Sequence, residues 1–394
     1  MKVTVNNIQL DLHIGAKVKD AILKYYSELG IHRPKFLPKV EDRFGNSVAF
    51  DGELTDGNIL FIKTHHKMAS SIPKLVLAVL VTGFLFGCNT GKKSNTSETV
   101  EKQAILFAVN DMHAEIDNFP KLAYIVDSLE SIYPDMLLIA AGDNQTGNPV
   151  NDQYPEKGLP MIELMNAVGF DLSAVGNHEF DTRPQGFSNL THKADFDFIC
   201  ANMSDNGSYN LKVSPFKIFT LPNGLKLAFL GLLQINQNGI PDTHPENVKG
   251  FTFSSPFETA PKYLHLKDQS DIFIALTHLG FESDVHLAQT LPAGLDLIIG
   301  GHSHTKVDKE QIHNGILITQ AQRKLSYGTL IKLTLGNDGL MQSSMELIDI
   351  ENSKNEKTSI RAMVDEFNDN PSLKEVISTA IDDFSSKAEL GYLM

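Results

Sequence analysis

Five apolar runs between residues 104 and 299 each end in a short turn that carries an aspartate, an asparagine or a histidine. The clearest is the run at 170–175, which leads directly into Gly176-Asn177-His178-Glu179-Phe180-Asp181. Short apolar runs of this kind are typical of buried strands, and open α/β sheets place their ligands beyond the carboxyl ends of the strands. The pattern therefore predicts an α/β fold with polar side chains gathered at the mouth of a sheet.

The polar residues at these five ends have the chemistry of a metal site. One histidine after a strand is more often a loop residue, and one aspartate after glycine a turn residue, but five equivalent ends are hard to explain as independent turns. Carboxylate and amide oxygens mixed with imidazole suit divalent Mn, Fe, Co or Zn, and the absence of thiolate argues against a cysteine-type structural zinc. Roughly seven ligands fit two ions that share a carboxylate better than one tetrahedral ion. The residues are Asp111 with His113, Asp143, Asn177 with His178, His278, and His302 with His304.

Composition narrows the classes of function. The chain has 394 residues, 42% of them hydrophobic and 21% charged, which is ordinary for a folded protein. Its net charge of -14 argues against generic nucleic-acid binding, although bound divalent metals would still allow phosphorylated substrates. The two cysteines, Cys88 and Cys200, cannot form a disulfide framework.

From residue 104 onward, strands alternate with helices. The spacing predicts helices at 122–129 and 161–168, and a hairpin over 219–232 that turns at Pro222-Asn223-Gly224. We therefore predict an α/β fold in which a two-sheet β-sandwich is flanked by helices.

Residues 1–67 have a pattern of their own. Alternating apolar residues on both sides of Asn6-Asn7 predict a hairpin, helical spacing from Val18 predicts a helix ending near Gly30, and a strand is expected at 58–62. This order resembles a small α+β module of the β-grasp kind. The free Gly-Gly terminus of that family's carriers is absent, so no carrier role is expected. His65 and His66 fit a solvated linker better than a metal site.

Residues 68–100 contain a short apolar segment followed by a polar linker. The apolar run at 75–88 is shorter than the ~20 residues of a membrane span, and a basic residue precedes it, as in a secretory signal. Leu85-Phe86-Gly87-Cys88 resembles a bacterial lipobox, which implies lipidation of Cys88 and an extracytoplasmic, membrane-anchored lipoprotein in the periplasm or at the outer membrane. A buried helix or a plain membrane anchor joining two domains remains the alternative.

The motifs D-x-H, GDN, GNHEFD, THLG and GHSH, in this order, resemble those of the calcineurin-like metallophosphoesterases. The six-residue form GNHEFD is similar to the motif of the 5'-nucleotidase and UDP-sugar hydrolase branch. The resemblance covers about residues 104–350, which correspond to the N-terminal catalytic domain of those enzymes. It implies a metallophosphoesterase fold with two divalent metal ions. The implied metal residues are Asp111, His113 and His304 for one ion, Asp143 as the bridge, and Asn177, His278 and His302 for the other.

The same resemblance implies a catalytic role for His178, whose ring Asp181 would orient, beside Asn177. The implied activity is hydrolysis of nucleotide phosphate by metal-activated hydroxide, as in a 5'-nucleotidase of nucleotide catabolism. Two alternatives remain: a phosphodiesterase acting on cyclic nucleotides or sugar nucleotides, and a non-catalytic metal-binding subunit of a split nucleotidase.

The sequence differs from secreted 5'-nucleotidases in its domain organisation, because those enzymes carry a C-terminal substrate domain. Only 44 residues follow Ile350 (394 − 350), and their apolar spacing predicts a helical tail that packs on the catalytic domain or docks to a partner. We therefore expect either broad specificity or a separately encoded C-terminal domain as partner. The predicted division is a β-grasp-like domain at 1–67, the signal-like segment and linker at 68–100, the catalytic domain at 101–350 and the tail at 351–394.

Overall fold

The computed structural model describes residues 1–63, apart from 33 and 35, and residues 101–369, apart from 292–293 and 337–338. Several predicted features therefore lie outside the described residues: the lipobox with Cys88, the histidine pair at 65–66 and the second half of the helical tail.

Residues 1–63 build a small sheet with one helix packed on it. Its elements are β1 (Lys2–Val5), β2 (Ile8–Asp11), α1 (Val18–Glu28), β3 (Val40–Asp42), β4 (Ser47–Val48) and β5 (Ile59–Ile62). The predicted hairpin is present, since β1 pairs antiparallel with β2 and the turn residues Asn6 and Asn7 have φ angles of 45° and 70°. Asparagine tolerates this left-handed backbone better than most residues, which explains the pair at the turn. Helix α1 buries Val18, Ala21 and Ile22.

The remaining described residues alternate strands with helices, as predicted. The strands are β6 (Lys102–Val109), β7 (Leu137–Ala140), β8 (Leu172–Ala174), β9 (Asp197–Ile199), β10 (Met203–Ser204), β11 (Val213–Ser214), β12 (Phe216–Thr220), β13 (Lys226–Leu233), β14 (Thr252–Phe253), β15 (Ile272–His278), β16 (Leu297–Ile299), β17 (Thr305–Lys306), β18 (Gln311–His313), β19 (Ile316–Thr319), β20 (Tyr327–Leu335) and β21 (Met341–Asp349). The α-helices are α2 (Phe119–Glu130), α3 (Pro149–Asp152), α4 (Leu159–Val168), α5 (Arg183–Lys193), α6 (Pro256–Thr259), α7 (Phe281–Thr290) and α8 (Thr358–Asn368). Short 3₁₀ segments lie at Ile116–Asn118, His178–Thr182, Pro245–Val248 and Ala260–Gln269.

Two large mixed sheets form the centre of this region. The seven-stranded sheet has the order β11-β9-β8-β7-β6-β20-β21, and the six-stranded sheet has the order β12-β13-β15-β16-β19-β18. Strands β6 to β9 run parallel in the first sheet, and β13, β15, β16 and β19 run parallel in the second. The predicted hairpin is the antiparallel pair β12–β13. All five polar strand ends thus follow parallel strands.

The sheets pack face to face through an apolar core, with helices outside. Leu106, Ile139 and Leu172 of the first sheet share one buried cluster with Phe229 and Ile274 of the second. A second cluster packs α2, α4, α5 and α8 against the outer face of the first sheet, and a third packs α7 and the 260–269 segment against the second sheet. The predicted sandwich between helices is confirmed.

The described part of the tail packs on the sandwich. Helix α8 buries Ile360, Val364 and Phe367 in the cluster that also contains residues of α2 and α4. The Phe367 ring lies edge-on to Tyr154 with centroids 5.8 Å apart. Of the two alternatives for the tail, packing on the catalytic region therefore holds for this helix. Among residues 1–63 and 101–369, no helix is long and apolar enough to cross a bilayer.

One contact was not predicted: the sheet formed by residues 1–63 continues into the larger region. Its six strands have the order β17-β4-β3-β5-β1-β2, and β17 pairs antiparallel with β4 through Val48 with Thr305 and Ser47 with Lys306. Because β17 follows the GHSH turn directly, this pairing brings the segment after β4 close to that turn.

A buried acid in α7 gives a stability prediction. Asp284 is fully buried and accepts a 2.6 Å hydrogen bond from the Thr277 hydroxyl, and burial raises the pKa of its carboxyl to about 8 against the lowering effect of that bond. Between about pH 4 and that value the folded protein holds a proton that the unfolded chain has released, so stability falls as pH rises through this window. Asp284→Asn should therefore flatten the fall in melting temperature between pH 5 and pH 8.

The control for this measurement is Asp268→Asn, at an exposed position of the 260–269 segment. Thermal unfolding of both variants and of the unchanged protein would be recorded at several pH values with the same metal content. An Asp284→Asn protein with the same pH slope as the control would contradict the prediction.

Candidate metal centre

The five predicted strand ends converge between the two sheets. Residues 111–113, 143 and 177 follow β6, β7 and β8 of the first sheet, while residue 278 ends β15 and residues 302–304 follow β16 of the second. All seven predicted ligands are nearly or fully inaccessible to solvent, with His113 the most exposed at 7%. The structure thus brings together every residue of the predicted metal set.

The first group of donors consists of Asp111, His113 and His304. The Nε2 atoms of the two histidines lie 2.8 Å apart, and Nε2 of His304 lies 3.5 Å from Oδ1 of Asp111. One ligand atom from each residue falls within 4.8 Å of the others, a spacing that could hold one ion.

The second group consists of Asp143, Asn177, His278 and His302. Nε2 of His278 lies 3.1 Å from Oδ2 of Asp143, and Nδ1 of His302 lies 3.1 Å from Oδ1 of Asn177. The same Oδ2 of Asp143 is 4.0 Å from Nε2 of His113 in the first group. Asp143 therefore lies between the two groups, where a carboxylate shared by two ions would be.

The donor set fits divalent cations. Asp111 and Asp143 are buried carboxylates whose ion pairs in the described part of the chain are all with histidines, not with lysine or arginine. Nε2 of His302 is buried and has no hydrogen-bond partner among the described residues. Two buried acids held together by histidines alone and an unpaired buried ring nitrogen are costly in a protein interior, and a bound cation would stabilise both.

The backbone around the centre is strained in a consistent way. Five of the seven predicted ligands have φ angles between 47° and 81°, a region that non-glycine residues avoid at a cost of about 1–3 kcal/mol each. These five are Asp111, His113, Asp143, His302 and His304. Packing from both sheets must hold these turns, and strain of this kind concentrates at functional sites.

Glu179 ties two of the turns together. Its buried carboxylate accepts hydrogen bonds from the backbone N–H groups of Asp143, Asn144 and Gly176, at 3.0, 2.8 and 2.6 Å. A Cβ on Gly176 would lie 2.2 Å from Oδ1 of Asp143, so only glycine allows the turns to approach this closely. Phe180 is fully buried among Phe187, Phe251 and Phe253. Glu179 and Phe180 thus have structural roles, the first in joining two turns and the second in packing the core.

His178 lies beside the donor groups, and its ring is held from both sides. Nδ1 is 2.7 Å from Oδ2 of Asp181, whose Oδ1 accepts a 3.0 Å hydrogen bond from the Asn247 amide. The ring centroid is 5.1 Å from that of His113. Burial lowers the pKa of His178, but the Asp143 charge and the bonds to Asp181 and Glu53 outweigh it and raise the pKa well above the ordinary value. Asp181 thus orients the imidazole and favours its charged form.

The donors differ in their proton affinity. Burial, together with the neighbouring His304 and His178, lowers the pKa of His113 to about 3, so this ring is neutral and free to donate a lone pair. The opposite holds for His278: burial lowers its pKa, but Asp143 and Asp111 raise it to about 10 overall. A metal ion binding at His278 would have to displace a proton, which makes metal affinity increase with pH.

Three carboxylates at the centre were not predicted. Oε1 of Glu53 is 3.3 Å from Nε2 of His178, Oδ1 of Asp51 is 3.2 Å from Nδ1 of His304, and Oδ2 of Asp242 is 4.0 Å from Nε2 of His302. Two of them come from the N-terminal sheet region, delivered by the pairing of β4 with β17. No strand-end pattern marks these acids, and two short strands far apart in the chain leave no periodic signal in a sequence.

Comparisons with known proteins give matches over the region that contains this site. A family model described as calcineurin-like phosphoesterase matches residues 106–306, half of the chain. A 5'-nucleotidase of Vibrio cholerae is 29% identical over 325 residues, which cover 72% of this chain and 58% of that protein. Protein UshA of Salmonella pullorum is 30% identical over 250 residues, covering 56% of this chain and 44% of that protein.

Solved structures agree on the fold. The crystal structure of a 5'-nucleotidase precursor from Thermus thermophilus superposes with a TM-score of 0.60 at 22% identity, covering 69% of this chain and 59% of that one. At this identity the likeness concerns the fold alone. The chain spans about half the length of the curated relatives that it matches.

Proposed function

The chain belongs to the calcineurin-like phosphoesterase family, and we propose that it is a two-metal phosphohydrolase that releases phosphate from nucleotides, as a 5'-nucleotidase does. One observation carries the proposal: five strand ends from two sheets surround two groups of donors, with Asp143 between the groups and the His178–Asp181 pair at their edge. The relative named as a 5'-nucleotidase supports the nucleotide substrate.

The proposed ligands follow the two donor groups. Asp111, His113 and His304 would hold one ion, and Asn177, His278 and His302 would hold the other. Asp143, which lies between the two groups, would serve both. Mn, Zn, Co and Fe are all consistent with this mixture of imidazole and hard oxygen donors. When bound, two such ions would lower the pKa of a water molecule and neutralise charge on a phosphoryl group.

The side chains beside the ions position the ester and handle its proton. His178, held in its charged form by Asp181, points Nε2 toward the centre and can donate a hydrogen bond to a phosphoryl oxygen. As the bond from phosphorus to the leaving oxygen breaks, the same ring can supply the proton that this oxygen needs. The Nδ2 group of Asn177 donates to Oε2 of Glu53 at 3.3 Å, so it can donate to an anionic oxygen bound in that place. Burial of the whole set excludes bulk water and strengthens these interactions.

Location is the second part of the proposal. The lipobox-like stretch that ends at Cys88 supports an extracytoplasmic lipoprotein. Intact mass of membrane-extracted protein tests it, because lipidation would leave a mature chain that starts at a modified Cys88. An unmodified product that begins at Met1 would reject this part while leaving the hydrolase proposal untouched.

The test of the activity is phosphate release by the full chain. The protein would be stripped of metal, reloaded with Mn, Co, Zn or Mg, and given nucleoside monophosphates, cyclic nucleotides, a UDP-sugar and an aryl phosphate. We expect metal-dependent release of phosphate from nucleoside monophosphates, with saturation at two ions per chain.

The product spectrum separates the alternatives. Turnover of cyclic nucleotides or of the UDP-sugar without release of phosphate from monophosphates would favour a phosphodiesterase. Two bound ions with no turnover of any ester, in this protein and in the Glu53 variant described below, would favour a non-catalytic metal-binding subunit.

A further inference from the structure

The segment from Phe50 to Leu54 enters the mouth of the metal centre. The pairing of β4 with β17 continues beyond Val48, since the backbone N–H groups of Ala49 and Glu53 point to the carbonyl oxygens of His304 and His302, at 3.4 Å each. At Gly52 a Cβ would lie 2.3 Å from the carbonyl oxygen of Ser303, so only glycine allows this close approach. The segment therefore lies directly against the turn that carries two of the proposed ligands.

The carboxylate of Glu53 contacts the groups proposed to hold the phosphoryl group. Its Oε1 lies 3.3 Å from Nε2 of His178, and its Oε2 accepts a 3.3 Å hydrogen bond from Nδ2 of Asn177. Oε2 is also 3.6 Å from Nδ1 of His302. The side chain is only 6% exposed. An anionic group with two oxygens thus spans the position between a charged histidine and a proposed metal ligand, as two oxygens of a phosphate would.

Asp51 and the surrounding surface hold this segment in place. Asp51 lies 3.2 Å from Nδ1 of His304 and forms an ion pair with Arg323. Away from the centre, Arg43 pairs with Glu282 at 2.9 Å. The Phe44 ring also packs edge-on against Phe281 with centroids 5.6 Å apart. Polar and apolar contacts on both sides of the mouth therefore fix the geometry of residues 50–54.

We propose that residues 1–63 are a tethered acidic ligand of the metal centre, in which the Glu53 carboxylate takes the place of a substrate phosphoryl group. The inference rests on the proposed function, because it takes the phosphate position from that mechanism. A substrate must displace Glu53 to bind, so the docked form binds phosphate and phosphate esters weakly. Apparent affinity is reduced by the fraction of molecules in which the site is free. The docked form is the uncleaved chain, because cleavage before Cys88 on lipidation would remove residues 1–87 and Glu53 with them. Release or removal of the segment is then a means of activating the enzyme.

Glu53→Gln tests the proposal in the full chain, because it keeps the shape of the side chain and removes its charge. We expect the affinity of the metal-loaded protein for inorganic phosphate, measured by calorimetry, to rise about tenfold if the docked form holds nine-tenths of the molecules. The value of kcat/KM for the aryl phosphate should rise by a similar factor, with two ions still bound. Glu28→Gln, at an exposed position of α1, is the matched control and should change neither quantity.

A disulfide across β4 and β17 tests whether the segment must move. Ser47→Cys and Lys306→Cys would be combined at a paired position, with Cys88→Ser to avoid side reactions. We expect the oxidised protein to bind phosphate more weakly than the reduced one, and the difference to shrink when Glu53→Gln is added.

The outcomes separate this inference from the proposed function. Unchanged phosphate affinity in Glu53→Gln would overturn the inference whatever the activity. Loss of an ion in Glu53→Gln would overturn it too, because Glu53 would then be a permanent metal ligand. Tighter phosphate binding without turnover of any ester by either protein would support the inference and reject the hydrolase.

Discussion

Asp143→Asn is expected to remove at least one of two bound ions and to lower phosphate release by about a thousandfold, equivalent to roughly 4 kcal/mol of transition-state stabilisation. Oδ2 of Asp143 lies 3.1 Å from His278 and 4.0 Å from His113, so it faces both groups of donors. Its Oδ1 accepts a 2.9 Å hydrogen bond from the backbone N–H of His178. An amide keeps the shape but loses the charge, and its NH₂ group cannot donate a lone pair to a metal.

Metal content by mass spectrometry and phosphate release would be measured on the same samples. Asp135→Asn is the matched control, because this exposed aspartate lies just before β7, at the end opposite Asp143. Thermal unfolding would show that both variants are folded. An Asp143→Asn protein that keeps two ions and near-normal turnover would show that this carboxylate is not shared, and the two-metal assignment would be wrong.

Most residues of the site could be predicted from the sequence, because a single rule determines where they lie. Parallel strands deliver their carboxyl ends to a common edge, so apolar runs that end in Asp111, Asp143 or His278 identify the donors without knowledge of the strand order. The register confirms this at β15, where His278 pairs with Leu233 as the last residue of the strand. The His178–Asp181 pair could also be predicted, because both residues lie in the same turn of the chain and are therefore close in space.

The strand order itself could not be predicted. Strand β6 is flanked by β7, its next neighbour in sequence, and by β20, which lies near the far end of the catalytic region. Pairings of such separation depend on how the whole core packs, and the apolar pattern of β20 fits several positions in either sheet.

Glu53 and Asp51 were missed for a similar reason. Their position at the centre depends on the two-residue pairing of β4 with β17 and on a glycine that fits against Ser303. The sequence Asp-Gly-Glu is typical of an ordinary turn between strands. The expectation of a separate unit at 1–67 gave no reason to look for a contact with the GHSH turn, so the acids that lie beside His178 and His304 were left without a role.

His178→Ala is expected to lower kcat by about a hundredfold or more while leaving metal content near normal. The ring contacts Asp181 and Glu53 but belongs to neither group of four proposed ligands, so its loss should remove the proton donor and spare the ions. Asp181→Asn should show a smaller loss, because the ring stays and loses only the group that orients it and supports its charge.

The matched control for these two variants is His192→Ala, at an exposed histidine in α5 whose ring hydrogen-bonds to Asn210. Because Glu53 also binds His178, each variant would be measured with and without Glu53→Gln, so that a change in access to the site is separated from a change in chemistry. Fewer than two ions in His178→Ala would mean that this histidine is a ligand and that the proton donor lies elsewhere. Full metal content with a fall in kcat that persists in the Glu53→Gln background would assign the proton to Nε2 of His178, which among the atoms of this ring is the one that faces the centre.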